Sequence, residues 1–177
     1  MHKPLWFEAA AFSAWAHRND VRKDGLTPYA AHPARVALTV RTVFGVDDDV
    51  ALAAALLHDV IEDTPCDYDD VWGRFGDDVA RIVAALTKNM LLPEAERERD
   101  YDERLARADW RARLIKLADA YDNLLDLSPM QGESGASFVA RAGRAKDRAG
   151  RAIGLAGDDE RLASAVAAVR SVVETTA

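Results

Sequence analysis

The sequence predicts an all-α fold, a bundle of packed helices, on three observations. Alanine is abundant while aromatic residues make up only 7% of the chain, a balance that favours helices over sheet. Apolar residues recur at helical spacing, and no segment shows a convincing strand-like alternation. Proline, glycine and aspartate stand where such helices would begin and end.

Pro4 suits a helix start, and Leu5, Ala9, Phe12 and Ala16 then recur on one face, so a first helix runs to about His17. The polar stretch RNDVRKDGLTPY, with Gly25 and Pro28 as breakers, reads as a loop. Pro33 opens a second helix that reaches Phe44 before Gly45 stops it. Asp47 or Asp48 caps a third, DVALAAALLHDVIED, in which Val50 to Leu57 are apolar on every face; it belongs in the core, and Pro65 ends it. Asp67 caps a short helix to about Phe75, Gly76 breaks it, and Asp77 or Asp78 starts another through Thr87. LLPEAERERDYDERLARAD is strongly charged and reads as an exposed helix. WRARLIKLADAYDNLLDL is a long helix with an apolar stripe at Leu114, Leu117, Ala118, Tyr121 and Leu125. SPMQGESG reads as a loop, and two further helices, split near Gly154 to Asp159, finish the chain.

A chain of 177 residues fits one domain, residues 1–177, able to bury a core without staples. Its one cysteine, Cys66, permits no internal disulfide and has no base beside it in sequence to make it a nucleophile. The formal net charge of -7 argues against a general nucleic-acid surface. It leaves room for a small anionic substrate, because a few local cations or a bound metal reverse the sign of one pocket. The N-terminal stretch carries Glu8 inside its apolar part and reads as a poor signal peptide, His2 as a disordered terminus. No run approaches the roughly 20 apolar residues of a membrane span, so no membrane is expected and the cytoplasm is the expected compartment.

Four residues of metal-ligand type stand where apolar surroundings make them costly. His58 and Asp59 end the apolar run of the third helix, Asp119 follows LIKLA on another apolar helix, and His32 immediately precedes Pro33. A residue before proline is pushed out of the α region, so His32 is expected extended at a helix N-terminus. His58 and Asp59 are adjacent, about 100° apart round a helix axis, and reach one ion off that edge. Two imidazoles and two carboxylates suit a first-row divalent ion with open positions for water; Mn²⁺ or Fe²⁺ fits better than a structural zinc. Such an ion lowers the pKa of bound water from about 15.7 towards 7. Glu62 and Asp63 follow one turn later as candidates to handle a proton, and Asp122 and Asn123 lie on Asp119's side of its helix. Arg22 and Lys23 in the first loop are natural phosphate holders, and Tyr29 is suited to stack on a base or sugar.

Each of these has a blander explanation. With 30 acids in the chain, a histidine followed by aspartate recurs by chance. Asp119 alone suits a buried acid paired with Arg or Lys, and Arg22 and Lys23 alone suit a solvated loop. His17 reads as a helix-end cation or core histidine. Arg141, Arg144, Arg148 and Arg151 form a stripe at helical spacing that suits an anionic partner but reads more readily as a solvated face opposite the Ala142, Ala145 and Ala149 packing stripe, and Trp6, Trp15, Trp72 and Trp110 read as packing residues.

Taken together, AHRNDVRKDGLTPYAAHPARVA, ALAAALLHDVIEDT, ALTKN and LIKLADAYDNLLDL, in that order over about residues 16 to 127, resemble the hydrolase domain of the RelA/SpoT family in its small stand-alone form. The HD pair alone is unspecific; the ordered set RK-x-G…PY-x-x-HP, LLHD-x-x-ED-T and KLAD-x-x-x-N is specific. The resemblance implies an HD-domain helical bundle and a Mn²⁺ ion. It places metal ligands on His32, His58, Asp59 and Asp119, a catalytic acid pair on Glu62 and Asp63, and nucleotide-pocket residues on Arg22, Lys23, Tyr29 and Asn123. It implies hydrolysis of the 3′-pyrophosphate of ppGpp or pppGpp, with NADPH a further substrate of some small animal relatives. The synthetase, TGS and ACT parts of long members have no room here, so hydrolysis alone is expected. The chain departs from the pattern after Asp119, where Ala120-Tyr121-Asp122-Asn123 replaces Arg-Leu-His-Asn, then at Leu124-Leu125-Asp126, and at Asn19-Asp20 in the first loop. Asp122 and Asp126 would repel phosphate unless they point away or bind something.

Three readings follow: an alarmone hydrolase, the same chemistry on NADPH or another nucleotide phosphate, or a non-catalytic nucleotide-sensing module in which those two acids have spoiled turnover. The alanine-rich final helices suit either a homo-oligomer interface or internal packing.

Overall fold

The computed structural model describes residues 3–128, 130 and 132–176; His2 and, within the loop expected over 128–135, Pro129 and Gln131 lie outside that description. Pro4, in extended backbone, precedes the first helix, α1 (Leu5–Ala16), and His17 caps its end. The following loop closes on itself through one antiparallel bridge, Val21 to Pro28, and the described residues contain no strand.

The second helix, α2 (Ala31–Leu38), starts earlier than Pro33 would suggest. Two tight turns lead into it, Ala31 N donating to Pro28 O at 3.0 Å and His32 N to Tyr29 O at 2.9 Å. Pro33 is therefore in the first turn, where a missing N–H costs nothing, and His32 is helical and buried, not extended. The local bias against helix before proline is overridden by these turns and by the partners of the imidazole. A single π-helical turn (Thr39–Val43) continues α2, and Gly45, at φ 74°, ends it in the left-handed region.

Asp48 accepts from Ala51 N at 2.8 Å and caps α3 (Asp49–Leu57), whose residues Ala51 to Leu57 are all buried. This is the central helix, with α1 and α2 packed on it. It does not run on to Asp63: the chain breaks at His58 and Asp59 and resumes as the single turn α4 (Val60–Asp63). Asp59 sits at φ -100° and ψ -4°, at the bridge-region edge of the helical basin.

A capping box between Asp67 and Asp70 starts α5 (Tyr68–Phe75), and Gly76, at φ 83°, separates it from α6 (Asp77–Leu86). The charged α7 (Glu94–Arg107) is held by its minority of buried residues, Tyr101 and Leu105, and by Arg104, which donates to Ala84 O and Thr87 O at the C-terminal end of α6. The long α8 (Trp110–Leu125) buries Leu114, Ile115, Leu117, Ala118 and Leu124, whereas Leu125, expected in its apolar stripe, is exposed. Burial of one such leucine contributes about 1.5–3 kcal/mol. Two helices, α9 (Gly135–Ala156) and α10 (Ala163–Thr175), pack on α8, joined by a short 3₁₀ turn.

Three of the four tryptophans are not core: Trp6, Trp15 and Trp72 are exposed, each flanking the buried stripe of Ala9, Phe12, Val71 and Phe75 at its solvent edge, as where Trp15 leans on Phe12 with ring centroids 5.6 Å apart. Among the described residues no helix is long and apolar enough to cross a membrane.

Candidate active site

The break between α3 and α4 is what aims His58 and Asp59. His58 Nδ1 lies 2.8 Å from the Ala55 carbonyl, which only accepts, so Nδ1 carries the proton and Nε2 presents its lone pair. That nitrogen is buried, makes no hydrogen bond, and stands 3.1 Å from Asp59 Oδ2. Two lone-pair atoms this close repel unless a proton or a cation lies between them.

His32 enters from α2. Its Nδ1 is 2.7 Å from Asp122 Oδ2, and its Nε2 is 3.3 Å from Asp119 Oδ1 and 3.6 Å from Asp59 Oδ2. His32, His58 and Asp59 each offer one ligand atom, all within 4.8 Å of one another. Asp119 stands beside this trio from α8, with Oδ2 2.9 Å from Lys116 Nζ and Oδ1 accepting from the Asn123 amide.

The electrostatics call for positive charge at this point. Burial alone would depress the His32 imidazole, yet the hydrogen bonds it donates to Asp119 and Asp122 carry it up to about 9. Burial likewise opposes the charged forms of His58, Asp59 and Asp119, and in each the opposite charges prevail. His58 moves up beside Asp59, Asp59 moves down beside His58, and Asp119 moves well down beside Lys116 and His32. The donor set, two imidazole nitrogens and a carboxylate with a second carboxylate adjacent, fits a divalent first-row cation, which would replace the shared protons.

Glu62 and Asp63 flank this centre on α4. Glu62 Oε2 accepts from the Lys88 backbone N–H at 2.8 Å, and burial pushes its carboxyl above the usual range. Asp63 is exposed and accepts from the Tyr29 hydroxyl at 2.9 Å, a hydroxyl that also lies 2.6 Å from Asp59 Oδ2. Tyr29 therefore has its polar end committed to carboxylates and its ring to His17, stacked at 4.6 Å, with the Arg22 guanidinium 5.6 Å from the ring centroid. His17 is a core histidine, 2% exposed, with Nδ1 3.2 Å from Asp20.

All ten sequence-selected residues line one cavity of about 380 Å³, within the range of small-molecule sites. The sequence reading missed others on the same wall, Lys88, Tyr101, Lys116 and Arg148. Lys116 had a signal, standing one turn before Asp119 on the same helix face. A second cleft of about 170 Å³ adjoins the first and is lined by Arg22, Lys23, Arg141, Arg144 and Arg148. The arginine stripe is thus a largely exposed face that also borders a cleft. Arg141 is tied to Glu133, and Arg151 to Glu98 and Asp102. Arg144 and Arg148 make no ion pair among the described residues and turn to the cleft. Burial first, then the neighbouring arginines led by Arg148, lower the Lys23 ammonium, as expected where cations crowd.

Neither of the two acids that looked repulsive in sequence lines the first cavity, although Asp126 borders the second cleft, and each is paired with cations. Asp122 is buried against His32 and Arg35, and Asp126 holds Arg22 at 3.0 Å and Arg35 at 3.1 Å.

The chain is similar to known proteins in both sequence and fold. Residues 9–143 match the HD domain family. The chain is 44% identical over 122 residues to a mouse (Mus musculus) protein named guanosine-3′,5′-bis(diphosphate) 3′-pyrophosphohydrolase MESH1, the match covering 68% of each chain. The Drosophila melanogaster protein of the same name is 42% identical over 123 residues, covering 69% of each. A solved structure described as "A metazoan ortholog of SpoT hydrolyzes ppGpp and plays a role in starvation responses" is similar at a TM-score of 0.83 and 31% identity, over 98% of this chain and 96% of that one.

Proposed function

This chain belongs to the HD-domain family, and from that membership we propose that it is a metal-dependent nucleotide pyrophosphohydrolase that removes the 3′-pyrophosphate of guanosine 3′,5′-bis(diphosphate). The observation that carries the reading is the orphaned, buried Nε2 of His58, facing Asp59 and His32 at one end of a cation-lined cavity. The relatives named for this activity support the substrate.

In this reading His32, His58 and Asp59 hold the divalent cation, with Asp119 as the fourth ligand. Mn²⁺ is the preferred ion, since mixed imidazole and carboxylate donors with open positions suit it. When bound, the ion polarises a phosphate oxygen and makes water a competent nucleophile near neutral pH.

The chain's own groups do the rest. Glu62, its carboxyl raised by burial, takes the proton of the attacking water, and Asp63 assists from the next position. The ester bond between the ribose 3′ oxygen and the pyrophosphate group breaks, one water supplies the hydroxyl that ends on phosphorus and the proton that ends on the 3′ oxygen, and GDP (GTP from the 5′-triphosphate form) and pyrophosphate leave. Lys88 and Lys116 line the pocket beside Glu62 and Asp119, where they balance the charge of the departing group. Arg22 and Lys23 hold the nucleotide, Asn123 orients Arg22 through a 3.0 Å hydrogen bond, and Tyr29 fixes the carboxylates. The adjoining cleft, with Arg144 and Arg148 free of acids among the described residues, suits the second anionic end of the substrate.

That cleft would also accept the pyrophosphate bridge of a dinucleotide, so NADPH is the competing substrate. The non-catalytic reading loses its motive, because Asp122 and Asp126 are occupied by Arg35, Arg22 and His32. A nucleotide panel assayed with Mn²⁺ separates the rest: pyrophosphate from ppGpp supports the proposal, orthophosphate from NADPH alone replaces it with the alternative, and tight binding of both without product refutes catalysis.

A further inference from the structure

Resting on the divalent-cation reading of the site, we propose that Asp122, backed by Arg35, is a positioning residue that locks His32 with Nε2 turned toward His58 and Asp59. The contacts come from two helices. Asp122 stands three residues after Asp119 on α8, and Arg35 three residues after His32 on α2, one turn along in each case. Asp122 is 4% exposed, and both its oxygens are engaged. Its Oδ2 lies 2.7 Å from His32 Nδ1, while Arg35 Nε donates to Oδ1 at 2.6 Å and Arg35 Nη2 to Oδ2 at 3.0 Å.

The consequence for the imidazole is specific. A carboxylate accepts, so the Nδ1 proton stays on Nδ1 and the lone pair left for a cation is on Nε2. The same bond makes the ring a more basic donor and fixes its plane. Arg35 fixes the carboxylate in turn: a two-point guanidinium contact leaves one orientation, and it neutralises an acid that would be costly to bury alone. Without Asp122, Nδ1 would face the Arg35 guanidinium, donor against donor, and the ring would turn away. Arg35 also reaches Asp126 Oδ1 at 3.1 Å, and Asp126 Oδ2 holds Arg22. A line of charge-assisted contacts thus runs from Arg22, at the substrate pocket, to the imidazole.

The test is Mn²⁺ affinity of the full chain, read from the free-ion signal in electron paramagnetic resonance. It compares wild type, His58→Ala, Asp122→Ala, Asp122→Asn and Arg35→Met, with thermal melts of the metal-free proteins alongside. Asp122→Ala is expected to bind Mn²⁺ roughly 10- to 100-fold more weakly. Asp122→Asn is expected to recover part of that loss, because an amide oxygen still accepts from Nδ1, and Arg35→Met to lose less than Asp122→Ala. If Asp122→Ala fails to fold, the graded loss in Asp122→Asn and Arg35→Met carries the test. A folded Asp122 variant with wild-type affinity overturns the proposal and leaves the metal reading standing. Equal, weak binding by wild type and His58→Ala overturns both.

Discussion

The Tyr29 hydroxyl lies 2.6 Å from Asp59 Oδ2 and 2.9 Å from Asp63 Oδ2, so the first loop is tied to both ends of α4 through one phenol. Burial, followed by the charge of Asp59, pushes that phenol far above its usual range, and it remains a proton donor at any working pH. Tyr29→Phe keeps the ring stacked on His17 and removes only this donor. The expected outcome is about a tenfold loss in Mn²⁺ affinity and about 1 kcal/mol of stability. Calorimetric Mn²⁺ titration and urea unfolding measure the two; a change in nucleotide KM alone would instead mark the hydroxyl as a direct substrate contact.

Glu62→Gln separates proton transfer from metal binding. Glu62 touches the Lys88 backbone and none of the three clustered ligand atoms. Its loss should lower kcat about 10²- to 10⁴-fold with Mn²⁺ affinity unchanged. The pH profile carries the sign. A base acts deprotonated, and burial raises this carboxyl, so the acid limb of kcat/KM in wild type falls above the ordinary carboxylate range. In Glu62→Gln that limb should vanish.

The metal-free protein should lose stability as pH rises. His32 is raised from 6.5 to about 9 in the fold. A group raised on folding contributes stability that is complete below its unfolded pKa and lost as pH climbs through the folded one. The Tm of chelator-treated protein should therefore fall between about pH 6.5 and 9, and Asp122→Ala should flatten that fall. Because a cation displaces the Nε2 proton, Mn²⁺ affinity should rise over the same interval.

Arg148 lies between the two clefts and makes no ion pair among the described residues. Arg148→Ala should raise KM for ppGpp about tenfold, the worth of one charge-assisted contact, while kcat holds. GMP-type nucleotides lacking a second phosphorylated end should bind indifferently to the change. Steady-state kinetics on both classes is the check.

Much of this architecture could be read from local chemistry. Asp48, Asp67 and Gly76 act where their side chains or freedom from a Cβ dictate. The convergence of His32, His58 and Asp59 followed from the cost of placing ionisable groups in apolar helices. What local chemistry hid was anything decided by a partner distant in sequence. The apolar run Val50 to Leu57 reads as leading into a continuous helix through Asp63, and nothing local announces the break at His58 and Asp59. Pro33 was expected to hold His32 extended, yet turns from Pro28 and Tyr29 draw it into α2. Asp122 and Asp126 looked surplus until α2 brought Arg35, and the first loop Arg22, against them. Of the tryptophans, Trp110 packs on the core as expected while Trp6, Trp15 and Trp72 are exposed, because size alone does not say how far a side chain is covered.

The most direct test of the whole account is pyrophosphate release from ppGpp by wild type and Asp59→Ala, each with saturating Mn²⁺. Asp59 is the carboxylate on which His32, His58 and Tyr29 converge. The account predicts Mn²⁺-dependent release by wild type and none above background from the folded variant. Full Mn²⁺-dependent activity in Asp59→Ala would contradict it.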